Sequence, residues 1–243
     1  MSVRLERPAE GVHAVLLDRP ASRNAINAAM VGALHEAVTA AADRSVRAVV
    51  LGSTTPGSFC SGADLRVGDD ERAAVSDRLY ELYAAMIGLP VPVFAAVDGA
   101  AVGGGAQLVL AADVRIGSPR AHVRFVGPAH GLAVGLWALP SAVGRGGAME
   151  LALSGRPVLP DEAQRLGLLD RIDDDPKACA VQLATAVTAL DGDAVARAKA
   201  AVVEGERLAE RLDTERTGNR AVFTGAVPHH GTGGPTRVQR AHR

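Results

Sequence analysis

Four short runs rich in β-branched residues punctuate the first half of this chain: VHAVLLD (12–18), RAVVLGS (47–53), VPVFAAV (91–97) and VRIGS (114–118). Each is bounded by turn residues, and the stretches between them have helical periodicity. NAAMVGALHEAVTAAADR places Met30, Leu34 and Val38 on one face, with Asn27 where an N-cap belongs. DRLYELYAAMIG (77–88) and GAQLVLAA (105–112) read as further helices. Strands alternating with helices argue for an α/β core with much parallel pairing. From Asp175 the strand signals stop, and PKACAVQLATAVTAL and DAVARAKAAVVEGERLAERLDTERTGNRAVF read as successive helices. The chain therefore divides into an α/β core (1–174), a helical region (175–227) and an irregular tail (228–243) rich in Gly, Pro, His and Arg. No internal repeat of fixed period is visible.

Composition excludes several function classes. A net charge of −1 with seven histidines carries none of the basic excess of a nucleic-acid-binding protein. No apolar run reaches the roughly 20 residues that span a bilayer, and MSVRLERPAE lacks the apolar block of a signal peptide, so a cytoplasmic location is expected. Cys60 and Cys179 form no spaced metal set and read as free thiols. No metal and no separate cofactor are expected.

Two stretches of small residues stand out as exposed backbone. In AVGGGAQLVLAAD (101–113) three glycines precede a helix, and a helix start leaves N–H groups without intrahelical acceptors. In SFCSGADL (58–65) small residues follow a strand and lead toward what reads as another helix start. Amides from both loops, converging on one oxygen, would form an oxyanion hole. Tight helix packing is the alternative for either motif alone. The glycines are not a phosphate loop, because neither Gly-Lys-Ser/Thr nor GxGxxG is present.

Taken together and in order, LDRPASRNAIN (17–27), SFCSGADL, PVPVFAAVDGAAVGGGAQLVLAADVRI (90–116) and GRGGAMELALSGRPVLPDEAQRLGLLDRI (144–172) resemble the enoyl-CoA hydratase/isomerase family, or crotonase superfamily. The resemblance implies an α/β crotonase fold, a spiral of ββα units followed by a helical trimerisation region. It also implies an acyl-CoA or enoyl-CoA thioester as ligand, CoA entering as part of the substrate, and assembly as a homotrimer or homohexamer. It places the oxyanion amides on Ala63 and Gly104, and the ADP end of CoA near Arg23, Ala25, Ser61 and Asp64.

Hydratases of this family carry a catalytic glutamate three positions after the middle glycine. Here that residue is Gln107, which can donate and accept hydrogen bonds but cannot exchange a proton at neutral pH. Ungapped matching puts Gly127 at the second glutamate, and Gly135 where some relatives carry an aspartate. Both glycines leave volume that would widen the pocket, and Trp137 either walls that space or packs in the core. His130, beside the expected pocket, is the candidate alternative base, with Glu81 a weaker one on an overhanging helix. Asp64, Asp98 and Asp113 fit turn and cap roles. Naphthoate synthases of the superfamily share Gly-Pro at 127–128, and some use bicarbonate as base; Phe125 and Val126 here replace the polar residues that hold it. Three readings stay open: an enzyme acting through a thioester enolate, an acyl-CoA carrier or sensor without proton chemistry, and a structural subunit of a mixed oligomer.

Overall fold

In the computed structural model, which describes residues 2–225, the four β-branched runs form strands β2 (Val12–Leu17), β3 (Ala48–Ser53), β5 (Val93–Val97) and β7 (Val114–Gly117). They lie side by side and parallel in one sheet. β1 (Val3–Ala9) pairs antiparallel with β2 at one edge, and the two-residue β9 (Arg171–Ile172) closes the other, giving the order β1-β2-β3-β5-β7-β9. Every residue of β5, and all but the last of β3, is buried, as central parallel strands require when both faces are covered. One face packs on α6 (Pro176–Val187), whose Ala180 and Ala184 meet Leu16, Val50, Phe94 and Ala96. The other face belongs to the main core, with α1 (Ala28–Ala40) and α2 (Asp69–Gly88). Asn27 caps α1, its Oδ1 accepting from the Met30 N–H at 3.0 Å.

A second, all-parallel sheet consists of three-residue strands: β4 (Ser58–Cys60), β6 (Ala100–Val102) and β8 (His122–Arg124). Each follows closely on β3, β5 or β7 and is followed in turn by a helix: α2, α3 (Gly104–Leu110) or α4 (Leu139–Ser154). The ββα unit thus occurs three times. Its first strands begin at residues 48, 93 and 114, and this unequal spacing hides the repeat from any fixed-period search. α5 (Pro160–Leu166) leads to β9, and α6, α7 (Gly192–Gly205) and α8 (Leu208–Phe223) complete the described chain.

The helical region packs directly on the α/β core. α6 is a layer of the large sheet, and α7 is tied down by the buried Lys199, whose Nζ donates to the carbonyls of Met86 (2.9 Å) and Val91 (3.1 Å) and pairs with Asp113 at 2.8 Å. α8 folds back on α2, presenting Leu208, Leu212, Glu215, Asn219 and Phe223 at helical spacing. The tail expected over 228–243 lies outside the described residues. Two expectations are corrected here. Helix α2 begins at Asp69, not near residue 77, and no helix starts within 58–65: after β4 the chain is irregular up to Gly68.

Candidate active site

The glycine triplet turns the chain from β6 into α3 in one step. Gly103 adopts φ 53° and ψ −113°, a conformation open to glycine alone. Gly105 packs so closely on β4 that an added Cβ would lie 2.5 Å from the Cys60 carbonyl oxygen. Gly104 lies between them as the first residue of α3, so its N–H has no intrahelical acceptor. The partner loop is set by a parallel bridge between Ile26 and Ala63: Ile26 donates to the Gly62 carbonyl, and Asp64 donates to the Ile26 carbonyl, both at 2.8 Å. The Ala63 N–H takes part in neither of those two bonds. A methyl placed on Gly104 would stand 3.7 Å from the Ala63 nitrogen.

Both residues line a cavity of about 110 Å³ together with Ser61, Gln107, Gly127 and His130. Most of its wall is apolar, from Leu65, Leu79, Val126, Leu132, Val134 and Phe223. Among the described residues, no carboxylate lines it, and its titratable groups are Arg72, Tyr80 and His130. Among the described residues there is also no cluster of three His, Cys, Asp or Glu that could hold a metal ion.

The other expected residues lie outside the cavity wall. Arg23 is exposed with φ 51°, and its carbonyl accepts from Ser61 N at 3.1 Å and Ser58 Oγ at 3.2 Å. The Ala25 carbonyl accepts from the Arg19 guanidinium. Asp64 is buried and pairs with Arg66 at 2.8 Å and Arg19 at 3.6 Å; hydrogen bonds from Arg66 hold its carboxyl down at about 2. Asp98 pairs with Arg120 and accepts from the Gly57 N–H, while Asp113 accepts from the Val93 N–H, so both serve structure. Glu81 is exposed and paired with Arg216, away from the cavity.

Gly127 and Gly135 do not open the pocket. An added Cβ at Gly127 would lie 2.5 Å from the Leu132 carbonyl oxygen and 2.8 Å from Val134 Cβ; one at Gly135, where φ is 81°, would lie 2.9 Å from the Phe125 ring. The loop has collapsed onto both positions. Trp137, 1% exposed, sits behind the wall, stacked on Tyr83 at 6.3 Å. Its indole Nε1–H donates to Gln107 Oε1 at 3.0 Å.

Sequence reasoning missed a buried polar group behind that wall. Glu215 of α8, 7% exposed, accepts from the Tyr80 hydroxyl at 2.7 Å, the Gly135 N–H at 2.9 Å and the Trp137 N–H at 2.9 Å. Burial pushes its carboxyl above the ordinary range, against the opposing pull of these donors. Asn219 donates to the Tyr80 oxygen at 2.7 Å and takes the Ala133 N–H at 2.9 Å. Tyr83 donates to the Gly104 carbonyl at 3.0 Å. The first turn of α3, the 131–138 loop and α8 are thereby cross-linked around one end of the cavity.

The sequence profile of the enoyl-CoA hydratase/isomerase family matches residues 7–234. The chain belongs to that family. Among its relatives is the probable enoyl-CoA hydratase echA6 of Mycobacterium tuberculosis (strain CDC 1551 / Oshkosh), 40% identical over 182 residues, 72% of this chain and 74% of that one. A monofunctional enoyl CoA isomerase from M. smegmatis is 33% identical with a TM-score of 0.74, over 85% of this chain and 94% of its own. An enoyl-CoA hydratase/isomerase from Xanthobacter autotrophicus Py2 superposes with a TM-score of 0.84 at 27% identity, over 93% of this chain and 88% of its own. The crotonase fold is thus established for this chain, and the ββα spiral is its structural core.

Proposed function

We propose that this protein binds acyl-CoA thioesters, holding the thioester carbonyl between the N–H groups of Ala63 and Gly104, and that it does not hydrate enoyl-CoA by the glutamate chemistry of its relatives. One observation carries the proposal: Ala63 and Gly104 line the same small, largely apolar cavity, which has no carboxylate in its described wall. Two donors in a water-poor setting polarise a carbonyl strongly. Hydration further needs a group that takes a proton from water and returns one to carbon, and neither Gln107 nor Gly127 can exchange one. Thioester binding without turnover, as in a carrier or sensor, follows from donors without a base.

A second reading rests on His130, which lines the same cavity from the short helical turn Pro128–His130. In that case the polarised thioester loses a Cα proton to the imidazole, and the protein is an isomerase or another enolate-forming enzyme. A homotrimeric or homohexameric assembly in the cytoplasm belongs to the same proposal and is checked by light scattering of the purified protein. Calorimetry with butyryl-CoA, crotonyl-CoA and a long-chain 2-enoyl-CoA, with enoyl absorbance followed on the same samples, separates the readings. Micromolar binding without loss of absorbance supports the first. Turnover that disappears in His130→Ala supports the second, and saturating ligand with no heat at any chain length refutes both.

A further inference from the structure

The amide of Gln107 has a direction that the structure fixes. It is 4% exposed, lines the cavity, and has its Oε1 on the indole N–H of Trp137. An indole N–H can only donate, so the atom facing it must be the amide oxygen. Of the two N–H groups of its –NH2 end, one lies toward the oxygen of Tyr80, whose own proton is committed to Glu215, and the other remains for the cavity. Turning the amide over would set –NH2 against the indole N–H and leave two buried donors without acceptors, an arrangement folded proteins avoid. Glu215 locks this polarity from behind. Its two oxygens hold the Trp137 backbone N–H and the Tyr80 hydroxyl, fixing both neighbours of the Gln107 amide.

Resting on the acyl-CoA reading, we infer that Gln107 is a donor-only contact for the acyl chain, held in that polarity by Trp137 and Glu215, and that the site selects acyl groups bearing an oxygen acceptor on Cβ. Gln107 stands three residues after Gly104 on α3, an axial rise of about 4.5 Å. A chain whose carbonyl oxygen is on the Gly104 N–H passes the Gln107 amide within its first carbons. A β-oxygen there meets an N–H of the Gln107 amide; a saturated chain leaves that N–H desolvated, with only the Tyr80 oxygen beside the amide. A 3-oxo group, which only accepts, matches best, and a 3-hydroxy group matches through its lone pairs.

The test is calorimetry on the full chain with butyryl-CoA, 3-hydroxybutyryl-CoA and 3-oxobutyryl-CoA. The 3-oxo ligand should bind about tenfold more tightly than butyryl-CoA, a factor equal to roughly 1.4 kcal/mol. That ratio should fall to near one in Gln107→Met, which fills similar space without a donor. In Gln107→Glu the cavity-facing –NH2 is replaced by an acceptor oxygen, so the 3-oxo ligand should lose its advantage while the 3-hydroxy ligand, able to donate, keeps it. Trp137→Phe frees the amide to turn and should lower the ratio, as should Glu215→Gln to a smaller extent. Equal affinity for the three ligands in the unmodified protein overturns the selectivity while leaving acyl-CoA binding intact, and so does a ratio that survives Gln107→Met. Failure of all three ligands to bind overturns the acyl-CoA reading and this inference with it.

Discussion

Removing the Glu215 carboxylate should cost more stability than any other single polar change near the cavity. Glu215→Ala leaves the Tyr80 hydroxyl, the Gly135 N–H and the Trp137 N–H without their acceptor in a buried setting. Each stranded donor costs about 1–3 kcal/mol, and relief of the buried charge returns part of that, for a net loss of about 3–4 kcal/mol. Glu215→Gln is milder. Its amide oxygen can keep Tyr80 and Gly135, both of which share Oε1, but its –NH2 must face the Trp137 N–H, and the expected loss is about 1–2 kcal/mol. Burial raises the folded carboxyl above the ordinary 4.5, so the folded state binds the proton more tightly than the unfolded chain does. The stability this group contributes is therefore full below pH 4.5 and is lost as pH rises through the folded value. Gln carries no such proton, so the gap between the unmodified protein and Glu215→Gln should be widest near pH 4 and narrow toward neutrality. Urea unfolding followed by the fluorescence of Trp137, the single tryptophan of the sequence, reads all of this at the residue concerned. A Glu215→Ala midpoint equivalent to less than about 0.5 kcal/mol of loss would refute the reasoning, since only a solvated carboxylate could be removed so cheaply.

The adjacent glycines of α3 should part company. Gly105→Ala drives a Cβ to 2.5 Å from the Cys60 carbonyl and should destabilise by about 3 kcal/mol, measured by the same unfolding. Gly104→Ala meets its nearest neighbour, Leu79 Cδ1, at 3.4 Å and should fold within about 1 kcal/mol of the parent, yet weaken acyl-CoA binding at least tenfold in calorimetry, because its methyl stands beside the Ala63 nitrogen. Lys199→Ala strands Asp113 and two carbonyls beneath α7 and should cost about 3 kcal/mol by urea unfolding. His130→Ala should leave butyryl-CoA affinity within twofold, since the residue is exposed; a loss larger than tenfold would give it a binding role.

Periodicity disclosed the large sheet because β2, β3, β5 and β7 are long enough, and apolar enough, to stand out from turns. β4, β6 and β8 have three residues each, too few to establish a period, and β1 hides its strand in the charged sequence VRLERPA. The amide-bearing residues Ala63 and Gly104 were legible from small-residue motifs, since close backbone approach leaves a compositional trace. Volume at Gly127 and Gly135 was not, because a missing side chain says nothing of whether the chain closes over it. Glu215 was hidden among the charges of LAERLDTERTGNR, where one glutamate resembles the next. Its signal was its place on the stripe Leu208, Leu212, Glu215, Asn219, Phe223: two polar residues on an otherwise apolar face mark a buried network.

The central claim concerns where the thioester oxygen goes. A crystal structure of the full chain with butyryl-CoA tests it most directly. The account predicts the carbonyl oxygen within about 2.7–3.2 Å of both the Ala63 and the Gly104 nitrogens. An oxygen beyond about 3.5 Å from either, with the acyl chain outside the cavity beside Gln107, would contradict it.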